Sequence, residues 1–150
     1  MVSHAGSPTG GSRTVAGRTV NGLVALVFGA VFVVVGLAGF LVSGGHPAVG
    51  TTGGALLGLF QVNVLHNVVH LAIGGVMIAA ALRGDRPARA ANRGFGVLYL
   101  VLFVLGLVLV GSTLNIVALN GGDSILHLVL GIALAGWVSA PTGAETVTRT

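Results

Sequence analysis

The sequence predicts an all-α fold, an integral membrane bundle of four helices, and three observations carry that prediction. Of 150 residues, 54% are apolar and only 7% charged, whereas a soluble domain carries about 25% charged residues. Four apolar stretches approach the about 20 residues that cross a bilayer as a helix. All seven Arg fall on one side of a membrane if the chain crosses four times. With mean hydropathy +1.01, this composition excludes a cytosolic enzyme, a coiled coil and a disordered chain.

Residues 1–19 are rich in Gly, Ser and Thr without apolar periodicity, and read as a flexible cytoplasmic tail. The four-transmembrane domain covers 20–140, with spans expected at about 20–42, 63–82, 94–111 and 124–140. The first span is uncharged, too long for a signal-peptide core and followed by no clean cleavage site. A Gly/Pro loop follows, and 55–61 reads as a short interfacial turn. The segment 83–93 holds four Arg and one Asp and reads as an inner loop. Pro141 ends the fourth span, and 141–150 reads as a second cytoplasmic tail.

Orientation follows from the cations. Arg13 and Arg18, the four Arg of 83–93, and Arg149 mark the cytoplasmic side, while 43–62 and 112–123 hold none. The net charge of +4 therefore sets topology and implies no nucleic-acid partner. The expected partner is the lipid bilayer, with anionic headgroups against the Arg-rich segment at about 1 kcal/mol per Arg. A homo-oligomer or membrane-protein partner stays open. Arg without Lys, in an Ala/Val/Gly-rich chain, is associated with high-GC bacteria, and the expected location is the bacterial inner membrane. There are no cysteines, which excludes disulfides, thiolate metal sites and a cysteine nucleophile.

Two hairpins share a pattern. His70-Leu71-Ala72-Ile73-Gly74 matches His127-Leu128-Val129-Leu130-Gly131, with His66 and Asp123 four residues before each His. The chain reads as two parallel-repeat hairpins related by an axis along the membrane normal. A chance match in so simple a composition is the alternative. Without a hydrophobic drive between spans, small residues let backbones approach. Gly22, Ala25, Gly29 and Gly36 form such a stripe, and Gly75/Ala79 and Gly131/Ala135 read as small-xxx-small pairs.

The polar residues inside the spans are the candidate site. Asn63, His66, Asn67 and His70 share a face of the second span, and Asp123 and His127 share a face of the fourth. Ionisable groups within a span face the bundle interior or a water-filled cavity. Asn63 and Asp123 also stand where an N-cap belongs. The first reading is a hydrogen-bonded clamp between the second and fourth spans, without a cofactor. His66, His70, His127 and Asp123 are also a ligand set for a transition metal, and His70 with His127 could ligate haem b. A third reading is a small transporter or proton pathway. No catalytic constellation is visible: no H-E-x-x-H is present, and Ser112 and Ser124 have no triad around them. GTTGG at 50–54 lacks the Lys-Ser/Thr of a phosphate loop. His46 reads as solvated, Val2-Ser3-His4 as a chance match to a copper-binding amino terminus, and Trp137 as an interfacial anchor.

The run from Phe60 to Leu71 with Gly74, which contains Asn63-x-x-His66-Asn67-x-x-His70, resembles a bacterial membrane family catalogued as domain of unknown function 4383. Leu114-Asn115-Ile116 and Leu126-His127-Leu128 with Gly131 resemble its second block. The resemblance covers about residues 18–140. It implies a four-helix integral membrane protein with no established activity, and it supplies no catalytic residues.

Overall fold

Each helix begins on a side chain that accepts from the helix's own first turn, or on a glycine. The computed structural model describes residues 14–15 and 18–137. Thr14–Val15 (β1) and Arg18–Thr19 (β2) pair antiparallel, a short ordered feature where the sequence suggested only a tail. Thr19 then caps α1 (Val20–Ser43), its Oγ1 accepting from the Gly22 amide at 3.1 Å. Twenty-four residues at 1.5 Å per residue cross a 30 Å hydrocarbon layer.

The loop after α1 folds into a hairpin, Gly54–Leu56 (β3) against Phe60–Val62 (β4), with Leu56 opposite Phe60. The sequence suggested an interfacial turn here. Gly54 and Leu56 are buried while Ala55 is exposed, the period-two alternation of a strand. Leu57 and Gly58, both left-handed, make the reversal. Gly54 lies directly on the Val42 carbonyl of α1, where a Cβ has no room.

Asn63 caps α2 (Val64–Arg83), and Gly84 alone joins it to α3 (Asp85–Leu109). The expected inner loop at 83–93 is therefore helical, and the third span's helix starts nine residues early. Pro87 sits in the first turn, where its missing N–H costs nothing. Asp85 complements the helix dipole there. Ala88 and Asn92 turn inward while Arg86, Arg89 and Arg93 stay exposed. Asn120 caps α4 (Gly121–Ile132), and one π-helical turn, Ala133–Trp137, follows. Asp123, expected as the N-cap, is instead the third residue of a capping box: its carboxylate accepts from the Asn120 amide at 2.9 Å. The residues expected to end the fourth span, 138–140, lie outside the described residues, as do His4, Arg13, Arg149 and the side chain of Trp137.

The chain is a four-helix bundle, with three helices long and apolar enough to span a membrane and a shorter apolar helix, 121–136. Its core holds Ala25, Phe32, Ile73, Met77, Ala81, Ala88, Tyr99 and Leu134. On α1, besides Asn21 in the first turn, the buried positions are Gly22, Ala25, Gly29, Phe32, Gly36, Gly39 and Ser43. Steps of three and four alternate, as in a left-handed helix pair. Gly29 and Gly74 bring α1 and α2 together: a Cβ on Gly74 would stand 2.6 Å from the Gly29 carbonyl. The expected Gly75/Ala79 notch is one residue out of register, since Gly75 is exposed with nothing within 4 Å.

The two hairpins repeat each other contact by contact. Residues of α2 and α4 correspond at a spacing of 57 (63 to 120, 70 to 127, 74 to 131), and those of α1 and α3 at 67 (29 to 96, 32 to 99). Asn63 and Asn120 are both N-caps. Gly29 packs on Ile78 as Gly96 packs on Ala135, Gly39 on Asn67 as Gly106 on Ser124, and Gly74 on Val33 as Gly131 on Leu100. These shared contacts favour a parallel-repeat arrangement over chance matching. At the Arg-bearing end the halves are tied by Asn92, whose Nδ2 donates to Asn21 O at 3.0 Å, and by Asn21, whose Nδ2 donates to Asp85 Oδ1 at 3.2 Å.

Candidate functional site

The site is built at the Arg-free end, where α2 and α4 begin. The side chain of Asn63, fully buried, does three things. Its Oδ1 accepts from the His66 amide at 2.9 Å, and its Nδ2 donates to Gly50 O at 3.1 Å and Ile116 O at 2.9 Å. It thereby fastens the loop between α1 and α2, the segment between α3 and α4, and the start of α2 together. A backbone bond from the Gly50 amide to Ile116 O (2.9 Å) lies beside it. Asn120 plays the matching part, with Nδ2 donating to Leu59 O at 2.9 Å. Asn115 closes its own turn through two 2.8 Å bonds with Leu119.

One turn further in, the rings meet. His66 Nδ1 lies 3.0 Å from Val117 O, and His70 Nδ1 lies 3.1 Å from His66 O. A carbonyl can only accept, so each Nδ1 carries the proton, and in the neutral ring Nε2 is left as the acceptor nitrogen. The two imidazoles stack at 4.6 Å. Phe32 stands edge-on to His70 at 5.7 Å, Tyr99 stacks on His127 at 5.2 Å, and Phe32 meets Tyr99 at 5.6 Å. In the repeat register, Phe32 with His70 is the counterpart of Tyr99 with His127. The rings form one continuous partition across the bundle centre.

Asn63, His66, Asn67, Asp123 and His127 are buried and His70 is half-buried. Their side chains face the protein interior. Asn67 turns to α1, where its Nδ2 donates to Ser43 Oγ at 3.0 Å. Among the described residues no hydrogen bond joins a side chain of α2 to one of α4. The ties run instead from Asn63 and His66 to the carbonyls of 116–117, the segment leading into α4. His66, His70, Asp123 and His127 do border one cavity of about 110 Å³ between α1 and α4. A second cavity, of about 230 Å³, lies between α2 and α3 on the other side of the partition and shares His66, His70, Tyr99 and His127 with the first.

Two polar atoms in the partition are unsatisfied. Tyr99 is 1% exposed and His127 5% exposed, and neither Tyr99 Oη nor His127 Nδ1 has a hydrogen-bond partner among the described residues. Each such atom costs about 1–3 kcal/mol, an expense typical of a place where something else binds. Nothing in the sequence around Tyr99 marks it, since its neighbours on α3 are apolar. The repeat could have found it, because Tyr99 stands where Phe32 stands in the first hairpin.

As a metal centre the arrangement is poorly set. Among the described residues no three His, Asp or Glu side chains are placed to hold one ion. His66 and His70 spend Nδ1 on separate carbonyls, and Asp123 spends an oxygen on the helix cap. The arrangement fits better a pocket that reads shape and a few hydrogen bonds within an apolar surround.

No curated protein and no solved structure matches the chain. The model of the family described as Domain of unknown function (DUF4383) matches residues 23–139, from the first turn of α1 past the end of α4, and so takes in Asn63, the five rings of the partition and both cavities. A match of that extent makes the chain a member of the DUF4383 family, membrane proteins without established activity.

Proposed function

We propose that this is a non-catalytic, multi-pass protein of the bacterial inner membrane which takes up a small membrane-dissolved ligand against the ring partition. The observation that carries the reading is the pair of buried, unpaired polar atoms, Tyr99 Oη and His127 Nδ1, in a partition flanked by cavities on both sides. A protein that only needed a packed centre would lose nothing by having Phe in place of Tyr99. The Asn63 and His66 ties support the clamp side of the reading, since they hold the outer loops, and with them the pocket roof, in place.

The test is a melting curve of purified protein with and without a total lipid extract of a bacterial membrane. The extract raises the melting temperature of the wild type by several degrees and leaves a Tyr99→Phe, His127→Phe double variant unmoved. Equal shifts in both overturn the reading. The resident-metal and haem b alternatives call for metal analysis and a visible spectrum of the same preparation. The transporter or proton-pathway alternative calls for a liposome flux comparison of wild type with His70→Ala.

Both termini are cytoplasmic in this reading. Support comes from Arg83, Arg86, Arg89 and Arg93, which gather at one end of the bundle, and from the Arg-free loops at the other. The chain has no cysteine, so single cysteines report cleanly. Ala48→Cys, on an exposed outer-loop site, reacts with an impermeant maleimide in whole cells. Ala90→Cys, exposed on α3 near its start, reacts only after lysis. The reverse pattern inverts the topology.

A further inference from the structure

The two cavities are counterparts under the internal repeat, and their differences single out one of them. Leu126 and Val31 at the mouth of the α1–α4 cavity correspond to Val69 and Leu98 at the mouth of the α2–α3 cavity, and His127 corresponds to His70. The two positions that change character are Phe32, which becomes Tyr99, and Asp123, which corresponds to His66. The size also changes, from about 110 Å³ to about 230 Å³. A cavity of about 150 Å³ holds a benzene ring. The α1–α4 cavity is too small for one, and the α2–α3 cavity admits a ring with substituents.

We infer that the cavity between α2 and α3 is a binding site, entered from the lipid, for an uncharged flat-ringed molecule bearing a carbonyl oxygen, the chemical class of membrane quinones. This deepens the function proposed above and rests on it. The flatness follows from the walls, to which four rings contribute, His66, His70, Tyr99 and His127. The carbonyl follows from Tyr99 Oη, a buried hydroxyl that lacks an acceptor among the described residues. The absence of charge follows from the lining, which holds no Arg, Lys, Asp or Glu, and from the segment 112–120 that brings Val117 and Leu119 to it and has no Arg or Lys to receive an anionic head. Entry from the lipid follows from Val69 and Leu98, each 39% exposed on the bundle exterior. A long apolar tail would leave by the same gap and lie along α2 and α3.

The experiment titrates the full-length protein, in phosphatidylcholine nanodiscs, with decylubiquinone and separately with 2-methyl-1,4-naphthoquinone, and reads saturable binding by calorimetry and thermal shift. Wild type binds at least one of them. Tyr99→Phe keeps the ring and loses the donor, and it binds at least fivefold more weakly while its ligand-free melting temperature is no lower than that of the wild type. Leu98→Trp fills the mouth from the lipid side and abolishes binding. Val31→Trp, at the counterpart mouth, binds as wild type does. Undiminished binding by Tyr99→Phe or by Leu98→Trp overturns the site, and loss in Val31→Trp alone moves it to the other cavity and overturns it as well. If neither quinone binds while the lipid extract still stabilises the wild type, the ligand class is wrong and the broader function stands. If the extract does nothing either, both fall.

Discussion

The two hairpins share a scaffold and differ in what fills it. In both, a glycine on the first helix meets a residue of the second: Gly29 with Ile78 and Gly96 with Ala135, then Gly39 with Asn67 and Gly106 with Ser124. At Gly29 and Gly96 an added Cβ would meet backbone atoms of the facing helix, and at Gly39 and Gly106 it would meet the Asn67 and Ser124 side chains, so each glycine lets the helices approach closely. The side chains that face the bundle centre were free to diverge. Ala25 corresponds to Asn92, Phe32 to Tyr99 and His66 to Asp123. The first hairpin therefore supplies apolar bulk and two tied histidines, and the second supplies the unpaired hydroxyl and the unpaired imidazole. Helix contact and pocket chemistry are set by different residues, and variants can separate them.

The sharpest break in the comparison is at the caps. Asn63→Leu strands the His66 amide and the Gly50 carbonyl in a buried place, and leaves the Ile116 carbonyl with the Gly50 amide alone. At about 1–3 kcal/mol for each stranded group, a loss of about 3–5 kcal/mol is expected in reversible unfolding from detergent. Asn120→Leu removes a half-buried cap and one loop bond, and about 1–2 kcal/mol is expected. Equal losses would mean that the Asn63 ties across the outer loops carry no stability of their own.

The glycines come next. Gly74→Ala places a methyl 2.6 Å from the Gly29 carbonyl, which belongs to a helix backbone and cannot step aside. Overpacking of this kind costs about 1–3 kcal/mol, and the upper end is expected. Gly131→Ala meets chiefly the Leu100 side chain, at 2.7 Å, which can rotate, so about 1 kcal/mol is expected. A Gly131→Ala loss as large as that of Gly74→Ala would show that α3 and α4 are held as rigidly as α1 and α2. Tyr99→Phe, in protein without ligand, is expected to raise stability by about 1–3 kcal/mol, because it removes a buried hydroxyl that has no partner among the described residues. A loss of stability would mean that the hydroxyl is bonded in the free protein, and the pocket argument would fail with it.

Much of this was legible in the residues, for physical reasons. Helix number and type follow from composition and span length, and the inward face of His66, His70 and His127 follows from the cost of polar groups in hydrocarbon. The hairpin at 54–62 was not legible, because three-residue strands carry too little periodicity. The helical start of α3 was missed because Arg clusters and Pro87 look like a loop, although Arg and Ala are good helix formers and Pro is tolerated in a first turn. Tyr99 was missed because nothing next to it in sequence is polar. Its partners come from α1 and α4, and only the repeat register aligns it with Phe32.

The smallest expected effect tests the register itself. Gly75 and Ala79 have the spacing of a helix-packing notch, yet Gly75 is exposed and an added Cβ meets nothing within 4 Å, while its neighbour Gly74 carries the contact with Gly29. One step along a helix turns a side chain by about 100°, enough to move it from the α1 interface to the lipid. Gly75→Ala is therefore expected to leave stability unchanged or raise it by up to about 1 kcal/mol through helix propensity, measured in the same detergent unfolding as the Gly74 variant. A loss of more than about 1 kcal/mol would place a close neighbour on that face. Within one chain no described atom occupies it, so the neighbour would be a second copy of the bundle. Crosslinking through Gly75→Cys in membranes would then identify the contact.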